Sequence, residues 1–83
     1  MEHKFVEIVW DDASAVDSWR TPDDLPALAR IVTRGWLVVD DEEKVTTAGS
    51  YQEGEDMVGE IITIPRGCVV SLRVLDVQYT LEI

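Results

Sequence analysis

The sequence predicts an all-β protein in the main, a small and strongly bent antiparallel barrel, and three observations carry that expectation. The stretch Ile61 to Leu75, IITIPRGCVVSLRVL, sets two runs rich in Ile, Val and Thr on either side of Pro65-Arg66-Gly67. Branched side chains suit a pleated, half-buried surface, and so short a connection makes the two strands bend sharply round each other. Apolar runs and alternations of strand length recur along the rest of the chain, separated by acidic turns. At 83 residues the chain is expected to be one domain, 1–83, with a small but sufficient core.

The first element, Phe5 to Trp10, alternates: Val6, Ile8 and Trp10 face one way, and Phe5, Glu7 and Val9 the other. A polar loop from Asp11 to Arg20 follows, with Trp19 expected to fold back on the barrel. Thr21-Pro22-Asp23-Asp24 reads as a helix start. Thr21 can cap, Pro22 suits the first helical position, and the aspartates favour the positive end of the dipole. Pro26 limits that helix to one or two turns ending near Ala29, a lid or plug. Arg30 to Asp40 is a long strand with Val32, Trp36 and Val38 on one face, Ile31, Leu37 and Val39 on the other, and a bend at Gly35.

Asp40 to Glu43 makes a hairpin turn, and Lys44 to Tyr51 returns with Val45, Thr47, Gly49 and Tyr51 on a shared face. Gln52 to Met57 is a second acidic turn, and Val58 to Ile64 and Cys68 to Leu75 are the next strands in hairpin sequence. Between them Pro65 fixes its own φ, and Gly67 is free to take a positive one. Val77, Tyr79, Leu81 and Ile83 alternate with Gln78, Thr80 and Glu82, a last strand that pairs within its own barrel or with a neighbouring subunit.

Composition narrows the classes. One cysteine, Cys68, allows no internal disulfide and points to a reducing compartment. No run approaches the ~18 apolar residues of a membrane span, and Met1-Glu2-His3-Lys4 leads into no hydrophobic signal region, so a soluble cytoplasmic protein is expected. The net charge of −10 is concentrated in loops: residues 11–24 balance to −4 and residues 40–60 to −7, whereas residues 61–83 balance to zero. A general phosphate-backbone binder needs a stripe of the opposite sign, so nonspecific nucleic-acid binding is disfavoured.

Ile64-Pro65-Arg66-Gly67-Cys68-Val69-Val70-Ser71-Leu72 resembles the second motif of the Sm and Hfq family, in which an Arg-Gly-like pair precedes a hydrophobic strand of the form RG-x-x-V-x-x-I. Ile31 to Ser50 is similar to the first Sm motif, a long strand bent through a glycine and followed by a hairpin. The chain also resembles small phage and prophage proteins in its Trp10, Asp12 and Ala13, its Gly35-Trp36-Leu37-Val38 and its Ile64-Pro65-Arg66. The resemblance implies an Sm-like or SH3-like barrel with a tendency to form homo-oligomeric rings, in the cytoplasm of a host cell if phage-encoded. It does not extend to uridine binding. Asp40 can stand for the family's loop aspartate, but the sequence contains no asparagine, and Arg66 precedes a cysteine.

Enzyme signatures are thin: His3 lies near the terminus, and Cys68 starts a strand with no histidine placed to activate it. Cys68 reads as a small core hydrophobe. No phosphate loop, metal-spaced Cys/His set or cofactor motif occurs. Asp40, Asp41, Glu42 and Glu43 lack the spaced ligand pattern of a cation loop and read as a solvated turn, and so do Glu53, Glu55 and Asp56. Trp10, Trp19 and Trp36 are either core or ligand contacts. Arg30, Arg34, Arg66 and Arg73 are the scarce cations of an acidic chain, able to neutralise carboxylates or to hold a phosphate.

The expectation is therefore a non-catalytic homo-oligomeric binding protein, without cofactor or metal. Its partner-binding candidates are Asp40, Asp41, Glu42 and Glu43, which would dock on a basic host protein. An alternative is sequestration of a small nucleotide-type ligand at subunit interfaces by Trp36, Arg66 and Arg73, and RNA binding of the Sm kind comes third.

Overall fold

The computed structural model describes residues 3–13 and 18–76. Five strands form one antiparallel sheet: β1 (Phe5–Asp12), β2 (Ala29–Asp40), β3 (Lys44–Gln52), β4 (Met57–Pro65) and β5 (Val69–Val74), with a 3-10 turn at Arg66–Cys68 between the last two. The spatial order is β4-β3-β2-β1-β5. Strands β1 to β4 follow the hairpin sequence expected of them, but β4 and β5 do not pair. They lie at opposite edges, because the 3-10 turn redirects the chain and β5 returns across the molecule to β1, with Val6 opposite Val74 and Ile8 opposite Leu72. The N–H of Val69 closes that turn on the carbonyl of Arg66. Gly67 reaches it without a positive φ; the glycine that takes one is Gly54, at φ 80° in the β3–β4 turn.

The core explains the curvature. Val6 and Ile8 of β1, Val45 of β3 and Ile64 of β4 are fully buried. Around them pack Trp10, Leu37, Ile62, Cys68, Val69 and Leu72, so all five strands and the turn supply one cluster. A single apolar cluster fed from both sheet edges requires the sheet to curl round it. Cys68 sits against this core as a small hydrophobe. Trp10 does too, and its indole N–H donates to the Thr33 hydroxyl at 2.9 Å, so its polar end is satisfied. At Gly35 the bent β2 approaches β3 so closely that a Cβ would lie 2.9 Å from the Ala48 carbonyl oxygen. A bulge between Leu37 and Val39 shifts the β2–β3 register just beyond.

Two expectations for the segment between β1 and β2 fail. No helix forms over Thr21–Ala29. The chain makes a single turn in which Asp24 N–H donates to the Thr21 carbonyl at 3.0 Å, and residues 25–28 run on without regular structure. Pro26 is the reason: its ring would collide with the carbonyl of residue 22 in a helix, and it pushes Leu25 out of the helical region. Trp19 does not fold back; it is fully exposed, with Leu25 and Leu28 mostly so. The last expected strand, residues 77–83, lies outside the described residues.

Candidate functional site

Val6, Ile8 and Trp10 point into the core, so Phe5, Glu7, Val9 and Asp11 face outward from β1. The register sets Trp36, Arg34, Val32 and Arg30 beside them on β2, and Arg73 and Ser71 beside Glu7 and Val9 on β5. The outer face of β5-β1-β2 is thus built in rows across the strands. One row is Arg73–Glu7–Arg34, and the next along β1 holds Phe5 and Trp36.

Glu7 is only 8 % exposed, and a carboxylate that buried needs partners. It has two. Arg73 donates from Nε to Oε1 at 2.9 Å. Arg34 donates from Nε to Oε2 at 2.8 Å, with its Nη2 also 2.8 Å from that oxygen. These bonds, that of Arg73 first and that of Arg34 next, hold the Glu7 carboxyl below its ordinary value of 4.5 against the desolvation that would raise it. Both guanidiniums remain largely exposed, so one carboxylate tethers two cations and the row carries one surplus positive charge. Two rows further along β1, Asp11 pairs one-to-one with Arg30 through Nε at 2.9 Å and Nη2 at 3.2 Å, and that row is neutral.

Beside the charged row the Trp36 ring meets Phe5 edge-on at 5.4 Å and Tyr51 at 5.3 Å. An open hollow of about 440 Å³ adjoins Tyr51, lined also by His3, Met57 and the acidic β3–β4 turn of Glu53, Glu55 and Asp56. Among the described residues no group of three or more His, Cys, Asp or Glu is placed to hold a metal ion.

Of the candidates read from sequence, Trp36 and Arg73 come to the same outer face. Arg66 does not join them. Its guanidinium pairs with the Asp40 carboxylate, its Nε donates to the Asp41 carbonyl at 2.9 Å and its backbone N–H to the Glu43 carbonyl at 2.9 Å. It pins the turn after β4 to the β2–β3 turn, and neutralising a neighbouring carboxylate is its role here. The acidic turn is likewise partly consumed. Asp41 accepts the N–H groups of Glu43 and Lys44, each at 2.8 Å, a side-chain-closed turn. Those bonds, from Lys44 first, hold the Asp41 carboxyl below its usual range. Glu42 and Glu43 are left exposed to solvent. Sequence reasoning missed Glu7 and passed over Phe5 and Tyr51; the one signal for Glu7 was an acid set in the middle of an apolar strand.

Glu7→Gln is expected to lower stability at neutral pH, with a deficit that depends on acidity. A folded-state pKa held below 4.5 stabilises the fold at pH above 4.5, and that contribution is lost as pH falls through the depressed value. Urea unfolding of both proteins between about pH 7 and pH 3 should show the two converging in acid. A deficit constant over that range would mean that the Glu7 charge is immaterial.

No model of a known family, no curated protein and no solved structure matches this chain.

Proposed function

We propose that this chain is a non-catalytic cytoplasmic binding protein of the small Sm-like or SH3-like barrel kind, working as a homo-oligomer joined head to tail through β4 and β5. What supports this above all is the pair of edges left unpaired among the described residues. Among the described residues neither β4 nor β5 has a strand beyond it. Met57 and Ile61 on the one, and Val70 and Val74 on the other, are about half exposed or more. Free edges carrying apolar side chains invite pairing. Joining β4 of one copy to β5 of the next is a heterologous contact, which closes into a ring when the rotation allows. The acidic turns then serve a basic protein partner, through Glu42, Glu43, Glu53, Glu55 and Asp56, all exposed. Such a surface acts mainly on the rate of encounter and weakens with salt.

Native mass spectrometry tests the assembly directly. A discrete oligomer is expected for the natural chain. Ile61→Lys combined with Val70→Lys should give monomers with an unchanged circular dichroism spectrum, since both side chains point away from the core. A natural chain that stays monomeric at about 50 μM, where any contact with a Kd well below that value would be populated, would overturn the reading.

A further inference from the structure

We infer that the outer face of β5-β1-β2 is a binding site for a small aromatic anion, a planar ring bearing a single acidic head, held by the Arg34–Arg73 pair and the Trp36 row. Cross-strand pairing puts Arg34 and Arg73 on either side of Glu7, with Cα atoms about 10 Å apart across three strands. Their guanidinium groups nevertheless converge, because each lies within 2.9 Å of an oxygen of the same carboxylate. Glu7 fixes the two forks and neutralises only one of their charges. Each guanidinium carries five N–H donors, and the contacts to Glu7 occupy three of the pair's total. Most of the remaining donors face water, on side chains 62 % and 67 % exposed. Pre-organised guanidinium pairs of this kind suit a phosphate or carboxylate bidentately.

The ring half of the ligand follows from the neighbouring row. Trp36 is two residues from Arg34 on the same face of β2, about 7 Å along the strand. It is partly exposed and locked against Phe5 and Tyr51. A planar ring laid on this cluster places its acidic head over the arginines. The rest of the molecule sets the charge limit. The acidic turn of Glu53, Glu55 and Asp56 shares the hollow beside Tyr51, within a segment balancing to −7. Repulsion from that turn grows with the ligand's charge, so one acidic head is favoured over a polyanion. The site lies within one subunit. It therefore adds to the reading of the chain as a binding protein without depending on assembly.

Titration calorimetry with three probes tests the site: AMP carries ring and head, adenosine the ring alone, inorganic phosphate the head alone. AMP is expected to bind at least tenfold tighter than either of the others, and more weakly as salt rises from about 0.05 to 0.5 M. Arg73→Gln, on an exposed edge-strand side chain, should reduce AMP affinity at least tenfold and leave adenosine unchanged. Trp36→Leu should remove the advantage of AMP over phosphate and leave phosphate binding unchanged. Arg73→Lys should recover only part of the loss, since a point charge replaces a fork. Each variant is checked for an unchanged circular dichroism spectrum, and Ser71→Ala, on the same face beyond the arginines, is a substitution that should leave binding intact. Undetectable AMP binding at millimolar concentration, equal binding of AMP and adenosine, or an Arg73→Gln variant that binds AMP as the natural chain does would each overturn the site. A monomer that binds AMP would sink the proposed ring and leave the site standing.

Discussion

Ile8→Ala should lower the thermal midpoint by roughly 10–30 °C, the largest effect expected from any single truncation in this molecule. Ile8 has no exposed surface and stands at the centre of a cluster with Val6, Val45 and Ile64. Removing its branched side chain forfeits the transfer energy of those methyl groups and opens a cavity, together worth about 2–5 kcal/mol. Against the roughly 4–12 kcal/mol available to a domain of this length, that is a large fraction. The surroundings have little to repair the loss with, because among the described residues only five hydrophobic ones are fully buried. The comparison is Ile61→Ala. Ile61 is the same residue type in the same sheet but 56 % exposed within one chain, so under conditions where the chain is monomeric its truncation should cost under about 1 kcal/mol. Urea unfolding of the two variants separates these expectations. Similar losses under those conditions would mean that Ile8 is not central.

The strands were legible because their signal is local. Alternation at Phe5 to Trp10 and turn residues at Asp40 to Glu43 mark β1 and the β2–β3 hairpin to within a residue or two. Partnership is another matter. Alternation says which face a residue takes, not which strand lies next to it, so Ile61 to Leu75 read as a hairpin when β5 in fact crosses to β1. The bend was present in Pro65-Arg66-Gly67, but its consequence depended on where the core would form. The failed helix shows the opposite error. Thr21, Pro22, Asp23 and Asp24 carry genuine capping signals, yet Pro26 denies the helix a second turn, and without one the nucleation cost is never recovered.

The candidate site was half legible. Trp36 and Arg73 drew notice as an aromatic and a cation in an acidic chain, and the register places them on one face. Arg66 drew the same notice and is spent holding two turns together. Nothing in residue type distinguishes the two arginines. What does is the neighbour each strand brings: an exposed acidic turn beside Arg66, and beside Arg73 a buried Glu7 already shared with Arg34. That sharing is a property of strand order, so it became visible only with the sheet.

Gly35→Ala should destabilise the protein by about 1–3 kcal/mol, while the same change at Gly67 should be neutral or slightly stabilising. An added Cβ at Gly35 would lie 2.9 Å from the backbone oxygen of Ala48 and 3.2 Å from Cβ of Thr47. Neither neighbour is the loose end of a flexible side chain, so β2 and β3 must separate. At Gly67 nothing lies within 4 Å, and with φ outside the left-handed region an alanine there only reduces the freedom of the unfolded chain. The two variants thus carry one chemical change with opposite expected signs, which thermal melting resolves. The consequence reaches the outer face, because Gly35 lies between Arg34 and Trp36. Displacing β2 from β3 moves the Trp36 ring off Tyr51 of β3, whereas the Arg34–Glu7 pair joins β2 to β1 and moves with them. A Gly35→Ala protein that melts like the natural chain would show that β2 and β3 yield freely at this point. The rigid seat of the aromatic row would then have to come from elsewhere than the close approach of the two strands.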